Sequence, residues 1–180
     1  QVFTSTPVRR ITRKDGKIHL STDDDTRIFD AVVIAAHADQ ALAMLGDPSP
    51  AEINLLSPWQ YTPNRAILHM DTAFLPPLKR AWAAWNYLRE DAPAGGAALS
   101  MTYNMNLLQR LPTRAHYCVT LNPARPVPAQ LTVGAYDYTH PRFSGAAVAT
   151  QAGPAALSGT NDTYFCGAYP SACGKTSTAM

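Results

Sequence analysis

The sequence predicts an α+β fold in two parts, the first with α/β character, and three observations predict it. Short β-prone stretches joined by tight polar turns open the chain. An apolar run without alternation then leads into a helical pattern, which is the order of a strand–helix unit in an α/β sheet. From Asp47 onward prolines recur and strand-like stretches follow one another through irregular joins, as in an antiparallel or mixed sheet.

Residues 6–12 are β-prone, Asp15-Gly16 supplies a two-residue hairpin turn, and residues 17–21 return with alternation. Asp23, Asp24 and Asp25 make a second polar turn before a short strand over 26–29. The run 30–36 reads as a strand covered on both faces, and a helix follows with Asp39 near its start and Gly46 as its stop. Further strands are predicted over 65–70, 81–87, 97–103, 116–121 and 131–138, with a short helix at 107–109. An alanine-rich helix is expected over 144–157, and a last strand over 163–168.

Of the 180 residues, 46% are hydrophobic and 16% charged, a globular composition, and the net charge of +2 is too small to imply a nucleic-acid partner. The densest basic group (Arg9, Arg10, Arg13, Lys14) lies beside Asp15 and the three following aspartates, so it reads as the solvated face of a hairpin. Three cysteines (Cys118, Cys166, Cys173), an odd number and mostly far apart, argue against a disulfide framework and for a reducing, cytoplasmic location. No apolar run approaches the roughly 18 residues of a membrane helix. The chain opens on Gln1 with a polar stretch unlike a signal peptide, and the missing Met leads us to expect that this is not a natural start.

Several motifs carry nothing. Gly174-Lys175-Thr176 resembles a phosphate loop, but Tyr169 stands where the motif needs glycine and no helix can follow. The five histidines show no ligand spacing and no Cys-x-x-Cys occurs, so no metal site is expected. No Gly-x-Ser-x-Gly elbow supports hydrolase chemistry. Asn161-Asp162-Thr163 matches a glycosylation acceptor that has no secretory context.

Two features are more informative. On a strand over 81–87, Trp82 and Ala84 share one face, and Ala83, Trp85 and Tyr87 the other. With Tyr103 these aromatics either pack a sheet or line an apolar substrate cavity. Separately, the run ending Ala35-Ala36-His37 and the stretch Phe165-Cys166-Gly167-Ala168 both finish in small residues, which let backbone approach a ligand at a strand's carboxyl end.

Thr6-Pro7-Val8-Arg9-Arg10-Ile11 before a hairpin, then Phe29 through His37-Ala38-Asp39-Gln40-Ala41-Leu42, resemble the flavin-containing amine oxidase superfamily. The bacterial group described as predicted NAD/FAD-binding proteins, or FAD-dependent oxidoreductases, is the best match within it. Pro63-Asn64-Arg65-Ala66-Ile67-Leu68-His69, Thr102-Tyr103-Asn104-Met105-Asn106 and Phe165-Cys166-Gly167-Ala168-Tyr169 extend the resemblance over roughly residues 6 to 169. It implies a two-domain flavoprotein, with FAD-binding segments at 1–45 and 150–169 interleaved with a mixed-sheet substrate domain at 46–149. Val8 is then expected at the adenine end of FAD, and Ala35, Ala36, Cys166, Gly167 and Ala168 near the cofactor. Trp85 and Tyr103 would line the cavity of a small-molecule or lipid-like substrate that gives hydride to the flavin. The resemblance names no catalytic base.

Two departures qualify the expectation. No Gly-x-Gly-x-x-Gly occurs in the chain, so the parent protein is expected to carry that dinucleotide-binding segment upstream of Gln1. Residues 170–180 diverge from the glycine-rich run that follows in the family. We therefore expect the chain by itself to be inactive and to hold FAD weakly or not at all. The alternative is a non-catalytic binding domain with an apolar, aromatic-lined sheet.

Overall fold

The computed structural model describes residues 1–91, 97–151, 153, 157–167 and 169. It is an α+β structure that divides into two compact units, residues 1–62 with 141–180 and residues 63–140.

In the first unit, β1 (Arg10–Lys14), β2 (Lys17–Ser21) and β3 (Thr26–Phe29) form an antiparallel sheet in that order. Asp15 and Gly16 have φ of 54° and 67°, the left-handed pair that a two-residue hairpin of matching twist requires. The first strand starts later than the β-prone stretch 6–12, because the turn fixes Lys14 opposite Lys17 and pairing extends back from there. At the far turn Thr22 Oγ1 accepts from the N–H groups of Asp24 and Asp25, while Arg9 pairs with Asp23 and Arg27 with Asp25.

A parallel pair follows, β4 (Val32–Ile34) with β10 (Thr163–Phe165), registered Val32↔Thr163 and Ile34↔Phe165. Both strands are three residues long, shorter than the runs 30–36 and 163–168. The expected covering of both faces of the first run is not found among the described residues, since Val33 is 57% exposed. Helix α1 (Ala38–Met44) begins where expected.

Helix α2 (Pro50–Leu56) was not foreseen among the prolines. Ser49 Oγ accepts from Glu52 N–H, Glu52 Oε2 accepts from Ser49 N–H at 2.7 Å, and Pro50 occupies the first helical position. Glu52 also takes two N–H groups of Arg13, whose guanidinium is nearly buried and reaches Asp47 as well. Burial by itself would raise the Glu52 carboxyl, but Arg13 and the Ser49 donors outweigh it and hold the pKa below its ordinary value. The densest basic group is thus internally neutralised at Arg9 and Arg13. Ile11, Ile18, Ile34, Ala41, Leu56, Trp59 and Phe165 form this unit's core. Of the helix expected over 144–157, α4 (Gly145–Ala149) is present, and residues 152 and 154–156 lie outside the described residues.

The second unit is built on a five-stranded sheet in the order β6-β7-β8-β5-β9. Its strands are β5 (Gln60–His69), β6 (Trp85–Asp91), β7 (Ala97–Asn104), β8 (Cys118–Leu121) and β9 (Thr132–Arg142), and α3 (Met105–Gln109) follows β7. β7 pairs antiparallel with β6 and β8, and β8 with β5. The strand expected over 81–87 begins only at Trp85. Lys79–Ala81 forms a 3₁₀ turn, and the Trp82 indole donates to Pro76 O at 2.8 Å, so Trp82 leaves the strand and shares no strand face with Ala84.

Candidate functional site

In the first unit, parallel pairing brings the carboxyl ends of β4 and β10 together. Cys166 N–H donates to Ile34 O at 3.1 Å, continuing the ladder one step past the strands. Beyond it, Gly167 lies beside the Ala36 carbonyl: a Cβ on Gly167 would stand 3.5 Å from Ala36 O, an ordinary contact, and 3.0 Å from the Tyr169 ring, on which it would press. Ala35 is exposed, and Ala36, Cys166 and Gly167 are half-buried. Ala168 lies outside the described residues. This is the position at which an open α/β arrangement presents backbone to a ligand, and its small side chains fit a dinucleotide cofactor.

The turn that leaves this point is held from one side by Tyr61. Its hydroxyl oxygen accepts Ala38 N–H at 2.8 Å, and its ring stacks on His37 with centroids 4.3 Å apart and planes 13° from parallel. Gln40 Oε1 accepts His37 N–H at 3.3 Å. Burial, with Asp39 adding to it, raises the Tyr61 pKa above its ordinary value. No sequence signal pointed to Tyr61, which is 23 residues from the amide it binds. Tyr169 is fully buried beside Trp59, and burial drives its phenol pKa strongly upward.

Val8 is not grouped with the strand ends. It lines a cleft of about 230 Å³ with Phe3, Thr6, Leu20, Thr22, Arg27 and Phe29, and the Arg27 guanidinium lies 4.1 Å over the Phe3 ring.

The sheet of the second unit has two contrasting faces. Register places Trp85 opposite Tyr103, and Tyr87 opposite Met101. Trp85 and Tyr103 meet edge-on at 5.6 Å, and Trp85 and Tyr87 are 59% and 66% exposed. Tyr136 and Tyr138 on β9, two residues apart and hence on one face, stack at 6.1 Å and are also exposed. The opposite face is buried and mostly polar: Asn86, Ser100, Thr102, Asn104, Cys118, Thr120 and His69.

That buried face is hydrogen-bonded throughout a chain of side chains. Asp71 N–H donates to His69 Nδ1 at 3.1 Å, so the neutral ring carries its hydrogen on Nε2, 2.8 Å from Thr120 Oγ1. Thr120 Oγ1 in turn lies 2.8 Å from Thr102 Oγ1, and Asn86 Nδ2 donates to Thr102 O. Burial lowers the His69 pKa most, Asp71 opposes it and Arg125 adds to it. Burial also pushes the Cys118 thiol up to about 11, so it is not a poised nucleophile. Among the described residues no group of His, Cys, Asp and Glu could hold a metal ion, and no helix is long and apolar enough to cross a membrane.

The architecture is α+β in two units, and the family is given by comparison with known proteins. The model for flavin containing amine oxidoreductases matches residues 1–171, and the chain belongs to that family. Membership implies FAD as the cofactor of the parent protein. Two solved structures share the fold: a CLA-producing fatty acid isomerase from P. acnes, at 15% identity and a TM-score of 0.50, and cyclohexylamine oxidase from Brevibacterium oxydans IH-35A, at 10% and 0.50. The first match covers 90% of this chain and 42% of that one, the second 92% and 43%, so the chain spans less than half the length of either. No curated protein matches the sequence.

Proposed function

We propose that the chain is part of an FAD-dependent oxidoreductase of amine-oxidase type, in which the first unit helps to hold the cofactor and the second presents a substrate-binding face. Residues 1–45 and 150–169 are assigned to the flavin side; of residues 46–149, the stretch 63–140 that forms the second unit is assigned to the substrate side, while 46–62 and 141–149 belong to the first unit. The observation that carries this reading is the convergence of Ala35, Ala36, Cys166 and Gly167 at one end of a parallel strand pair, within a chain of this family. When bound, FAD supplies the acceptor for a hydride taken from a substrate C–H bond, and oxygen or another acceptor then removes the electrons. Val8 contributes at the adenine end, and Ala168, which lies outside the described residues, is assigned a cofactor role from the sequence alone. Trp85 and Tyr103, with their exposed aromatic neighbours, form the wall for a small or lipid-like substrate. Because no Gly-x-Gly-x-x-Gly occurs in these residues, tight FAD binding requires a segment supplying it. The odd number of cysteines, mostly far apart, is the support for a reducing, cytoplasmic setting.

The test is flavin content. FAD released by heat from the purified parent protein supports the reading; a colourless parent that leaves added FAD free in equilibrium dialysis refutes it. If these 180 residues alone retain FAD as tightly as the parent, the requirement for the further segment is wrong. A colourless protein that still binds apolar ligands through Trp85 and Tyr103 would be a non-catalytic binding domain, the reading that the exposed aromatic face otherwise favours.

A further inference from the structure

The three residues between β4 and α1 must leave the strand extended and arrive at the helix without regular pairing of their own. His37 does so at φ −61° and ψ 152°. On one side the turn is met by Gly167 against Ala36 O, and before it by Cys166 N–H on Ile34 O. On the other side one residue from a distant part of the chain makes two contacts: Tyr61 accepts Ala38 N–H and stacks on His37. Ala38 is fully buried, so its N–H cannot turn to bulk water if the phenol oxygen is removed. Tyr61 itself packs against the unit's core, which fixes where its ring can lie.

We propose that Tyr61 is a positioning residue for the cofactor, holding the Ala35–Ala36–His37 backbone in the shape that meets the flavin dinucleotide; the proposal rests on the flavin reading of the first unit. It acts through the turn and takes no part in the chemistry. The two contacts are separable, because Tyr61→Phe keeps the stack and loses the acceptor, whereas Tyr61→Leu loses both.

The experiment measures the FAD dissociation constant, by quenching of flavin fluorescence, and the visible circular dichroism of bound flavin in the parent protein. Thr150→Val serves as a control of folding stability. It deletes the acceptor of the buried Trp59 indole and a bond to Ala147 O in the same core, without touching the turn. Tyr61→Phe is expected to weaken FAD about three- to tenfold, the worth of one hydrogen bond, and to alter the flavin dichroism. Tyr61→Leu should weaken it further, and Thr150→Val should change neither readout while lowering the melting temperature. The proposal is overturned if Tyr61→Phe binds FAD as the unsubstituted protein does, or if Thr150→Val weakens FAD equally at a matched loss of melting temperature. Should Tyr61→Leu fail to fold, Tyr61→Phe decides alone. A parent protein that binds no FAD removes the flavin reading and this proposal together, an outcome distinct from unequal binding among variants.

Discussion

Replacing Thr120 by valine keeps the shape of the side chain and removes one hydroxyl from the interior of the second unit's sheet. That hydroxyl serves two neighbours. It accepts the His69 Nε2 hydrogen, a direction fixed because Nδ1 is already occupied by Asp71 N–H, and it shares a hydrogen bond with Thr102 Oγ1. His69, Thr102 and Thr120 are all fully buried, so neither neighbour can recover a water partner in place. An orphaned buried group costs about 1–3 kcal/mol, so two together cost about 2–6 kcal/mol, slightly offset by the apolar methyl. The loss should appear as a lower urea midpoint at unchanged slope, followed by tryptophan fluorescence. The double variant Thr102→Val/Thr120→Val orphans only His69 and should be more stable than Thr120→Val by about 1 kcal/mol, although it has lost more hydroxyls. A single-variant loss below about 0.5 kcal/mol, or a double variant less stable than the single, would show that the chain of bonds does not hold this face together.

The remaining expectations concern pH, the buried ion pair and the aromatic face. The folded-state pKa of His69 is depressed chiefly by burial, so the unfolded chain takes up the proton first. His69 stability is therefore complete above its ordinary pKa of about 6.5 and is lost as the pH falls through that value and on through the folded one. The unsubstituted protein should lose more urea resistance between about pH 7.5 and 5.5 than His69→Gln does, and parallel curves would count against it. Glu52→Ala strips Arg13 of its nearly buried partner and removes the carboxylate half of the α2 capping box, leaving the Ser49 cap, and should cost about 3 kcal/mol by thermal or urea melting, with Asp47 retaining part of the interaction. Trp85→Ala, at an exposed position, should change stability by no more than about 0.5 kcal/mol while raising the KM of the proposed flavoenzyme about tenfold or more; a KM that does not move would remove Trp85 from the proposed substrate wall.

What the sequence revealed was local. Asp15-Gly16 announced its hairpin because only a few residue types accept left-handed φ at both turn positions, and the structure places β2 and β3 on the expected residues. α2 is legible in principle, since Ser49 followed by Pro50 and Glu52 is a capping box, but the prolines recurring around it mask a helix of only seven residues. Trp82 read as a strand residue by composition, and the neighbouring Lys79–Ala81 turn, with a bond from its indole to Pro76 O, takes it elsewhere. The contacts of Tyr61 with His37 and Ala38 join positions 23 or 24 residues apart, and no local pattern specifies such a pairing.

The sheet of the second unit inverts the usual relation between polarity and burial, and the inversion bears on function. Alternation along β7 puts Ser100, Thr102 and Asn104 on one face and Leu99, Met101 and Tyr103 on the other, so a reading from hydrophobicity alone would bury the second set. The structure buries the first. Burying hydroxyls and amides in this way is tolerable only when they bond to one another, as His69, Thr120, Thr102 and Asn86 do, because each unpaired member would cost more than its bond contributes. The arrangement leaves Trp85, Tyr87, Leu99, Tyr136 and Tyr138 substantially exposed. Exposed aromatics in such number carry a solvation cost that neither the sheet's pairing nor its polar interior relieves. The proposed substrate wall accounts for that cost: the polar face supplies the specific bonding that keeps the strands in register, and the aromatic face is kept for an apolar ligand. On that account, substitutions that stiffen or loosen the hidden hydroxyl chain should shift stability, and those on the aromatic face should shift binding, with little crossover between the two.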